Sequence, residues 1–186
     1  MPSIRFVTVR DLYEAFSTAQ EDVGAAPSGD EPALDFLRSL VAKETWSSAV
    51  SYCAYLLPRR EAVWWGCQSL RRIQPQRSPQ ETRALDTAEA WVREPEEDRR
   101  IAALALGNQG DYRSPATWMA LAAGWSGGSV MPPEFGNAPA APSQTARAVR
   151  AGLMIAMAWV SNKSMSKVLK PCLEDGIALA VASGER

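Results

Sequence analysis

The fold is decided by the stretch Leu56-Leu57-Pro58-Arg59-Arg60-Glu61-Ala62-Val63-Trp64-Trp65-Gly66-Cys67. Pro58 predicts the start of a helix, because the N–H that proline lacks has no partner in the first helical turn. A charged first turn follows, then two adjacent tryptophans and two small residues. Gly66 and Cys67 would let another helix approach closely. We therefore expect neighbouring helices to pack against this one.

The two adjacent tryptophans of this helix are expected to differ in their surroundings. Neighbouring residues on a helix point about 100° apart, so Trp64 and Trp65 cannot both face one partner helix. One should lie in the core and the other at a second interface or at the surface. The chain's seven tryptophans also invite a ligand-cage or stacking hypothesis, but their helical spacing among apolar residues favours a core role.

Helix signals continue on both sides of this stretch. Ser78-Pro79-Gln80-Glu81 is a full capping box with proline at the first helical position, and Ser114-Pro115 repeats the serine–proline pair. Thr8 and Asp11 form a weaker version of the capping box. Apolar residues at helical spacing predict helices over approximately 8–20, 30–41, 44–57, 58–72, 78–92, 95–106, 114–125, 146–160 and 164–182. Pro171 should divide or kink the last of these.

These segments predict an all-α, single-domain bundle or stack of about eight to nine antiparallel helices over residues 1–186. A chain of 186 residues can bury a sizeable core in one domain. A content of 46% apolar and 22% charged residues is typical of globular proteins. Strand alternation is not visible beyond the first few residues.

Charge and hydropathy exclude several classes of partner. A formal net charge of −1 gives no general attraction to nucleic acid or to an anionic membrane surface. The N-terminus lacks the long apolar segment of a secretory signal. The apolar run at 151–160 has about half the length of a membrane span. We expect a cytoplasmic protein without membrane insertion and without a nucleic-acid partner.

The counts of histidine and cysteine limit the available chemistry. The chain has no histidine, which eliminates Ser-His-Asp and Cys-His catalysis and histidine-based metal sites. Its three cysteines, Cys53, Cys67 and Cys172, show no CxxC spacing and lie in apolar helical settings. They are expected to be free, buried and unreactive. We predict no cofactor, no metal and no catalytic residue.

Residues 126–142 form the one long loop, and long loops in compact domains are often functional or disordered. Its Gly-Gly, Pro-Pro and Ala-Pro elements make it partly stiff, and Phe135 is a candidate for an exposed apolar side chain. A proline-containing segment loses little entropy on docking, which suits a partner-binding strap. The alternative, that the loop wraps its own domain, is equally open.

Charged residues supply two further candidates for a site. The first is a group of charged residues that could bind an anion or could simply form a solvated helix surface with local ion pairs: Arg59, Arg60, Glu61, Arg71, Arg72 and Arg77. The acidic residues 96–98 do not share one helix face, and their position at a helix N-terminus explains them without a catalytic or metal-binding role. The predicted partner-binding residues are Arg59, Arg60, Trp64, Trp65, Met131, Pro132, Pro133 and Phe135.

Two stretches together resemble an uncharacterised family of bacterial all-helical proteins associated with type VI secretion gene clusters. They are Leu57-Pro58-Arg59-Arg60-Glu61-Ala62-Val63-Trp64-Trp65 and Trp125-Ser126-Gly127-Gly128-Ser129-Val130-Met131-Pro132-Pro133, the second followed by Thr145-Ala146-Arg147-Ala148-Val149. The resemblance covers nearly the whole chain and implies a helical fold. It implies no activity, because the family has none assigned.

Three functional hypotheses follow. The first is a non-enzymatic interaction protein: a cytoplasmic accessory, adaptor or chaperone-like factor of type VI secretion that binds a secretion component or an effector. The second is an immunity protein that neutralises a cognate secreted toxin. The third is an enzyme using Glu61, although the helix N-terminus would keep that carboxylate ionised rather than ready to exchange a proton near neutral pH.

Overall fold

The computed structural model describes residues 5–131 and 135–184, and these residues form a helical array. The helices are α1 (Val9–Ala15), α2 (Ala19–Val23), α3 (Ala33–Ala42), α4 (Trp46–Leu56), α5 (Arg59–Ile73), α6 (Pro79–Arg93), α7 (Glu97–Gln109), α8 (Pro115–Gly124), α9 (Gln144–Met157) and α10 (Asn162–Ser183). Within those two ranges there is no strand, and the β-type pairing consists of isolated bridges, Thr8 with Pro32 and Ser129 with Pro139. The predicted all-α class is confirmed.

The first predicted helix is in fact two. Thr8 and Asp11 form both bonds of a capping box and start α1, but the backbone becomes extended at Phe16 before α2 begins. The ring of Phe16 is 5% exposed and packs against the ring of Tyr55 with centroids 5.3 Å apart. Tertiary packing of this ring therefore accompanies the break in a segment whose local pattern is helical. The described residues hold ten helices rather than eight or nine for this reason.

The α5 helix is surrounded as its sequence predicts. It packs against α4, α6, α8, α9 and α10. Pro58 stands immediately before its first turn, and Arg71 and Arg72 lie in its last turn, where cations interact favourably with the helix dipole. Trp65 is 1% exposed, whereas Trp64 is half-buried. The expectation that the two indoles differ is met, and Trp65 is the core residue.

Small residues permit the close helix contacts around α5. A Cβ on Gly66 would lie 2.7 Å from the sulfur of Met119 on α8 and 2.9 Å from a methyl carbon of Val149 on α9. A Cβ on Gly176 of α10 would lie 2.4 Å from the sulfur of Cys53 and 2.9 Å from the indole nitrogen of Trp65. These distances are below van der Waals contact, so glycine sets the spacing of both interfaces.

The last helix is continuous, with Pro171 inside it, so of the two expected effects, division or a kink, division does not occur. A buried hydrogen bond of 2.7 Å from the Trp65 indole N–H to the carbonyl of Cys172 joins α5 to α10. Cys53, Cys67 and Cys172 are free and buried as predicted. Burial raises the pKa of each thiol, which keeps it protonated and unreactive at neutral pH.

Candidate functional site

The α8–α9 loop, residues 125–143, is bonded to itself at its base. The backbone N–H of Val130 donates to the carbonyl of Ala138 at 2.8 Å. The hydroxyl oxygen of Ser129 accepts backbone N–H groups from both Met131 and Ala138, each at 3.1 Å. The outgoing and returning arms of the loop are therefore paired.

Arg100 of α7 anchors the base of this loop to the helical body. Its side chain is 7% exposed and donates to the carbonyl of Gly124 at 2.6 Å and to that of Ser129 at 3.0 Å. Glu97 forms a salt bridge with the same guanidinium at 2.6 Å, and this bond raises the pKa of Arg100. Gly128 has φ +56°, and a Cβ there would lie 2.9 Å from the Arg100 guanidinium. The loop backbone thus fits closely over a fixed charge.

Two other helices hold the start of the loop. Arg59 of α5 donates to the carbonyl of Ser126 at 2.7 Å. The hydroxyl of Thr145 on α9 donates to the carbonyl of Trp125 at 3.1 Å. Of the predicted partner-binding residues, Arg59 is therefore engaged in holding the α8–α9 loop.

The far part of the loop presents apolar side chains. Met131 is 38% exposed and Phe135 is 67% exposed, and we refer to these two residues as the loop tip. Pro132 and Pro133, also predicted to bind a partner, lie outside the described residues. The base therefore packs on its own domain, as one sequence hypothesis expected, while the tip keeps the exposed phenylalanine that the other required.

Arg60 and Trp64 belong to a separate groove, between α5 and α6. The Nε of Arg60 donates to the carbonyl of Val92 at 2.6 Å, in the last turn of α6 where carbonyls lack helical partners. Trp64, Glu61 and Arg93 complete the lining of this groove of 270 Å³. The predicted residues are thus divided between the α8–α9 loop, this groove and, for Trp65, the core. Because a groove adjoins Glu61, the enzyme hypothesis stays a prediction.

A polar cluster that the sequence did not reveal joins α2, α4 and α9. The carboxylate of Asp22, 10% exposed, accepts a hydrogen bond from the hydroxyl of Tyr55 at 2.5 Å and a salt bridge from Nε of Arg147 at 3.1 Å. Arg150 lies beside it, with Nη1 4.0 Å from a carboxylate oxygen and Nε donating to the hydroxyl of Ser51 at 2.9 Å. Burial and the bond to Asp22 raise the pKa of Tyr55. We refer to these five residues as the Asp22 cluster.

The two arginines of this cluster also line a surface cavity between α8 and α9. This cavity, here the α8–α9 pocket, has a volume of 290 Å³ and is lined by Trp118, Trp125, Gln144, Arg147 and Arg150, with Ala148 and Ala151. The indole rings of Trp118 and Trp125 meet edge to face with centroids 6.3 Å apart. Two guanidiniums, an amide and two indoles therefore converge on one cavity.

The two indole N–H groups of this pocket differ. Trp118 donates to the carbonyl of Tyr112 at 2.9 Å, and the rings of these residues also meet edge to face at 5.7 Å. The indole nitrogen of Trp125 is enclosed and has no hydrogen-bond partner within residues 5–131 and 135–184. An enclosed donor without an acceptor costs about 1–3 kcal/mol.

Residues 5–131 and 135–184 contain no group of three or more His, Cys, Asp or Glu side chains placed to hold a metal ion. None of the helices in that part of the chain is both long and apolar enough to cross a bilayer.

A family model for DUF6931, a family of unknown function, matches residues 36–180. The chain belongs to the DUF6931 family. No curated protein and no solved structure matches it significantly. The resemblance to an uncharacterised family is thereby confirmed. The DUF6931 match includes the decisive stretch of α5, the α8–α9 loop and all residues of the α8–α9 pocket, while Asp22 lies outside it.

One local signal for the pocket was present in this DUF6931 sequence. Arg147 and Arg150 are the charged residues of α9 and stand three positions apart, which places them on the same helix face. Asp22 and Tyr55 are far away in sequence, and no periodicity or motif links them to these arginines. Only the packing of α2 and α4 against each other and of α4 against α9 brings the Asp22 cluster together.

Proposed function

We propose that this DUF6931 protein is a non-enzymatic protein–protein interaction protein, acting in the cytoplasm as an accessory, adaptor or chaperone-like factor of a bacterial type VI secretion system. The observation that carries the interaction role is the α8–α9 loop, whose base is fixed and whose tip exposes Met131 and Phe135. The secretion context is supported by the resemblance of the two quoted stretches.

The loop has the properties of a preorganised binding element. Arg100 and the Ser129 hydroxyl bonds hold its base before any partner arrives. Binding then requires less ordering of the chain, and this lowers the entropic cost of association. A large exposed aromatic side chain on such a base is suited to act as an anchor that fills a pocket on a partner.

The test is binding of the full-length protein to purified type VI secretion components and effectors from the source bacterium, measured by surface plasmon resonance. We expect one of them to bind, and Phe135→Asp to weaken that binding about tenfold or more. Trp159→Asp is the matched control, because Trp159 is an exposed aromatic residue, 57% accessible, outside the loop. That variant should bind like wild type.

Two outcomes would overturn the proposal. One is the absence of binding to every secretion component and effector tested. The other is a complex that Phe135→Asp and Trp159→Asp weaken equally, since the loop tip would then have no special part in it. Tight binding to a toxic effector with relief of its toxicity would replace the adaptor role with an immunity role.

A further inference from the structure

We propose that the α8–α9 pocket binds a small aromatic carboxylate. The inference concerns a small-molecule site, goes beyond the proposed interaction function and does not depend on it. It rests on the charge balance of the two arginines, on the indole walls and on the size of the cavity.

The charges of the pocket suit a monoanion. Arg147 and Arg150 contribute two positive charges, and Asp22 neutralises one of them. The shortest contact between Arg147 and Asp22 is made by Nε, at 3.1 Å, and neither Nη group of Arg147 donates a hydrogen bond within the described residues. A planar guanidinium with two neighbouring N–H groups available matches the two oxygens of a carboxylate.

Protein groups behind the pocket hold the two guanidiniums in place. Arg150 donates through Nε to the hydroxyl of Ser51 and to the backbone carbonyl of Asp22. The Asp22 carboxylate is itself held by the hydroxyl of Tyr55. An arginine positioned by its neighbours loses less freedom when it binds an anion, which favours a ligand site over a mobile surface charge.

The indoles supply the apolar part of the site. Trp118 is fixed by its bond to the Tyr112 carbonyl and meets Trp125 edge to face. Flat apolar surface next to a cation is suited to an aromatic ring that carries an anionic group. A small movement of the Trp125 ring that brought its unpaired N–H to a ligand oxygen would recover the cost of that buried donor.

The volume limits the ligand. Pockets for drug-sized molecules occupy about 300–1,000 Å³, and this one measures 290 Å³. It therefore accommodates one ring or two fused rings with a short acidic arm.

The experiment uses indole-3-acetate and benzoate as probes, with indole-3-acetamide and benzamide as their neutral counterparts, and titrates them into the full-length protein by calorimetry. We expect at least one carboxylate to bind with a Kd below about 1 mM. Its amide should bind about tenfold more weakly or worse, because the charge-assisted bonds to arginine are lost. Adenosine monophosphate is included as a separate anion.

Arg147→Gln should weaken the carboxylate about tenfold, whereas Arg38→Gln should leave its affinity within about twofold of wild type. These variants are matched, because each arginine side chain is 55% exposed and forms a salt bridge with one carboxylate. In two-dimensional NMR, the indole N–H signal that Trp125→Phe removes should be the one that shifts most on titration. This readout reports the location of binding independently of affinity.

The proposal is overturned if neither carboxylate binds, if an amide binds as tightly as its acid, or if Arg147→Gln binds like Arg38→Gln. Binding of adenosine monophosphate without either carboxylate would also overturn it. The loop-tip variant Phe135→Asp should leave carboxylate binding unchanged, so failure here and failure of the interaction proposal are distinguishable.

Discussion

Glu89 and Asp22 occupy comparable positions in two parts of the molecule, but they belong to very different surroundings. Each is a nearly buried carboxylate, 6% and 10% exposed, that forms salt bridges with two arginines. One joins α5 to α6, and the other joins α2 to α9. Glu89 belongs to an ion-pair network that stabilises the fold, whereas Asp22 belongs to one that is suited to a ligand.

The network around Glu89 is balanced in charge. Arg71 donates to both Glu89 oxygens, at 2.7 and 3.2 Å, and also to Asp86 at 2.7 Å. Gln68 and Arg93 donate to the same Glu89 carboxylate. Two carboxylates therefore face two guanidiniums, and these bonds raise the pKa of Arg71. We refer to these five residues as the Glu89 cluster.

The Asp22 cluster has one carboxylate for two guanidiniums, and its arginines face a cavity walled by indoles. Both clusters combine a nearly buried carboxylate with two arginines, so this pairing alone does not indicate a function. The distinguishing features of the Asp22 cluster are its excess of positive charge and the indole walls of the cavity that its arginines line, which together favour an aromatic anion. Three measurements test this distinction.

The largest effect is expected from Glu89→Ala. It should lower the free energy of unfolding by about 3 kcal/mol, because Arg71 and Gln68 lose a partly buried partner. Urea denaturation followed by circular dichroism measures it. The control is Asp86→Ala, since that side chain is 60% exposed and its loss should cost less than about 1 kcal/mol. Equal losses would show that the Glu89 cluster does not stabilise the fold through burial.

A smaller effect is expected from Tyr55→Phe, about 1 kcal/mol at pH 7, through loss of the hydroxyl bonds to Asp22 and Thr18. The effect should depend on pH. The pKa of Tyr55 is raised in the folded protein, so its stabilising contribution is complete below the ordinary tyrosine pKa of about 10. Above that, the unfolded chain loses its proton first, and the contribution is lost as pH rises through the folded pKa.

Urea denaturation at several pH values from neutral to alkaline would test this dependence. The stability difference between wild type and Tyr55→Phe should shrink as the pH rises above about 10. The pKa values of Tyr13 and Tyr52 are also raised, that of Tyr13 to about 12. Both tyrosines are present in wild type and in Tyr55→Phe, so their contributions to the pH dependence cancel in the stability difference. Arg38→Gln should retain the wild-type pH dependence, since its exposed salt bridge with Asp35 involves no group that titrates near pH 10. A stability difference between wild type and Tyr55→Phe that stayed constant from neutral to alkaline pH would contradict this role of the Tyr55 hydroxyl.

The smallest effect on stability is expected from Arg147→Gln, less than about 1 kcal/mol, because the side chain is 55% exposed and its salt bridge is screened by solvent. Arg71→Gln should cost more, since Arg71 is 28% exposed and bonds two carboxylates. Thermal unfolding of the two variants in parallel gives the comparison. If Arg147→Gln were the more destabilising, the Asp22 cluster would be the structural one.

Local signals in the sequence predicted the helices well. The Ser78–Glu81 capping box forms both of its bonds, with the Glu81 N–H donating to the serine hydroxyl at 3.2 Å and the Ser78 N–H donating to the glutamate at 2.8 Å. Such signals act within one turn and can be recognised without the fold. The break at Phe16 was missed because the ring that accompanies it packs on Tyr55, a residue of another helix.

The site was less predictable for the same reason. The angle between neighbouring helical residues showed that Trp64 and Trp65 must differ, but only the packing of α10 identifies Trp65 as the buried one. Phe135 was expected to be exposed, and it is. Asp22 reaches Arg147 across most of the chain, and a contact at that separation has no signature in one sequence.

Arg100 has a consequence for engineering. Its single guanidinium donates to two backbone carbonyls, that of Gly124 at the end of α8 and that of Ser129 in the outgoing arm of the loop. The anchorage of the loop therefore does not use the side chains of Met131 or Phe135. Residues 135–137 are therefore a natural place to graft foreign peptides. The helical body would act as a display scaffold whose two Arg100 bonds do not depend on the side chains of the peptide it carries.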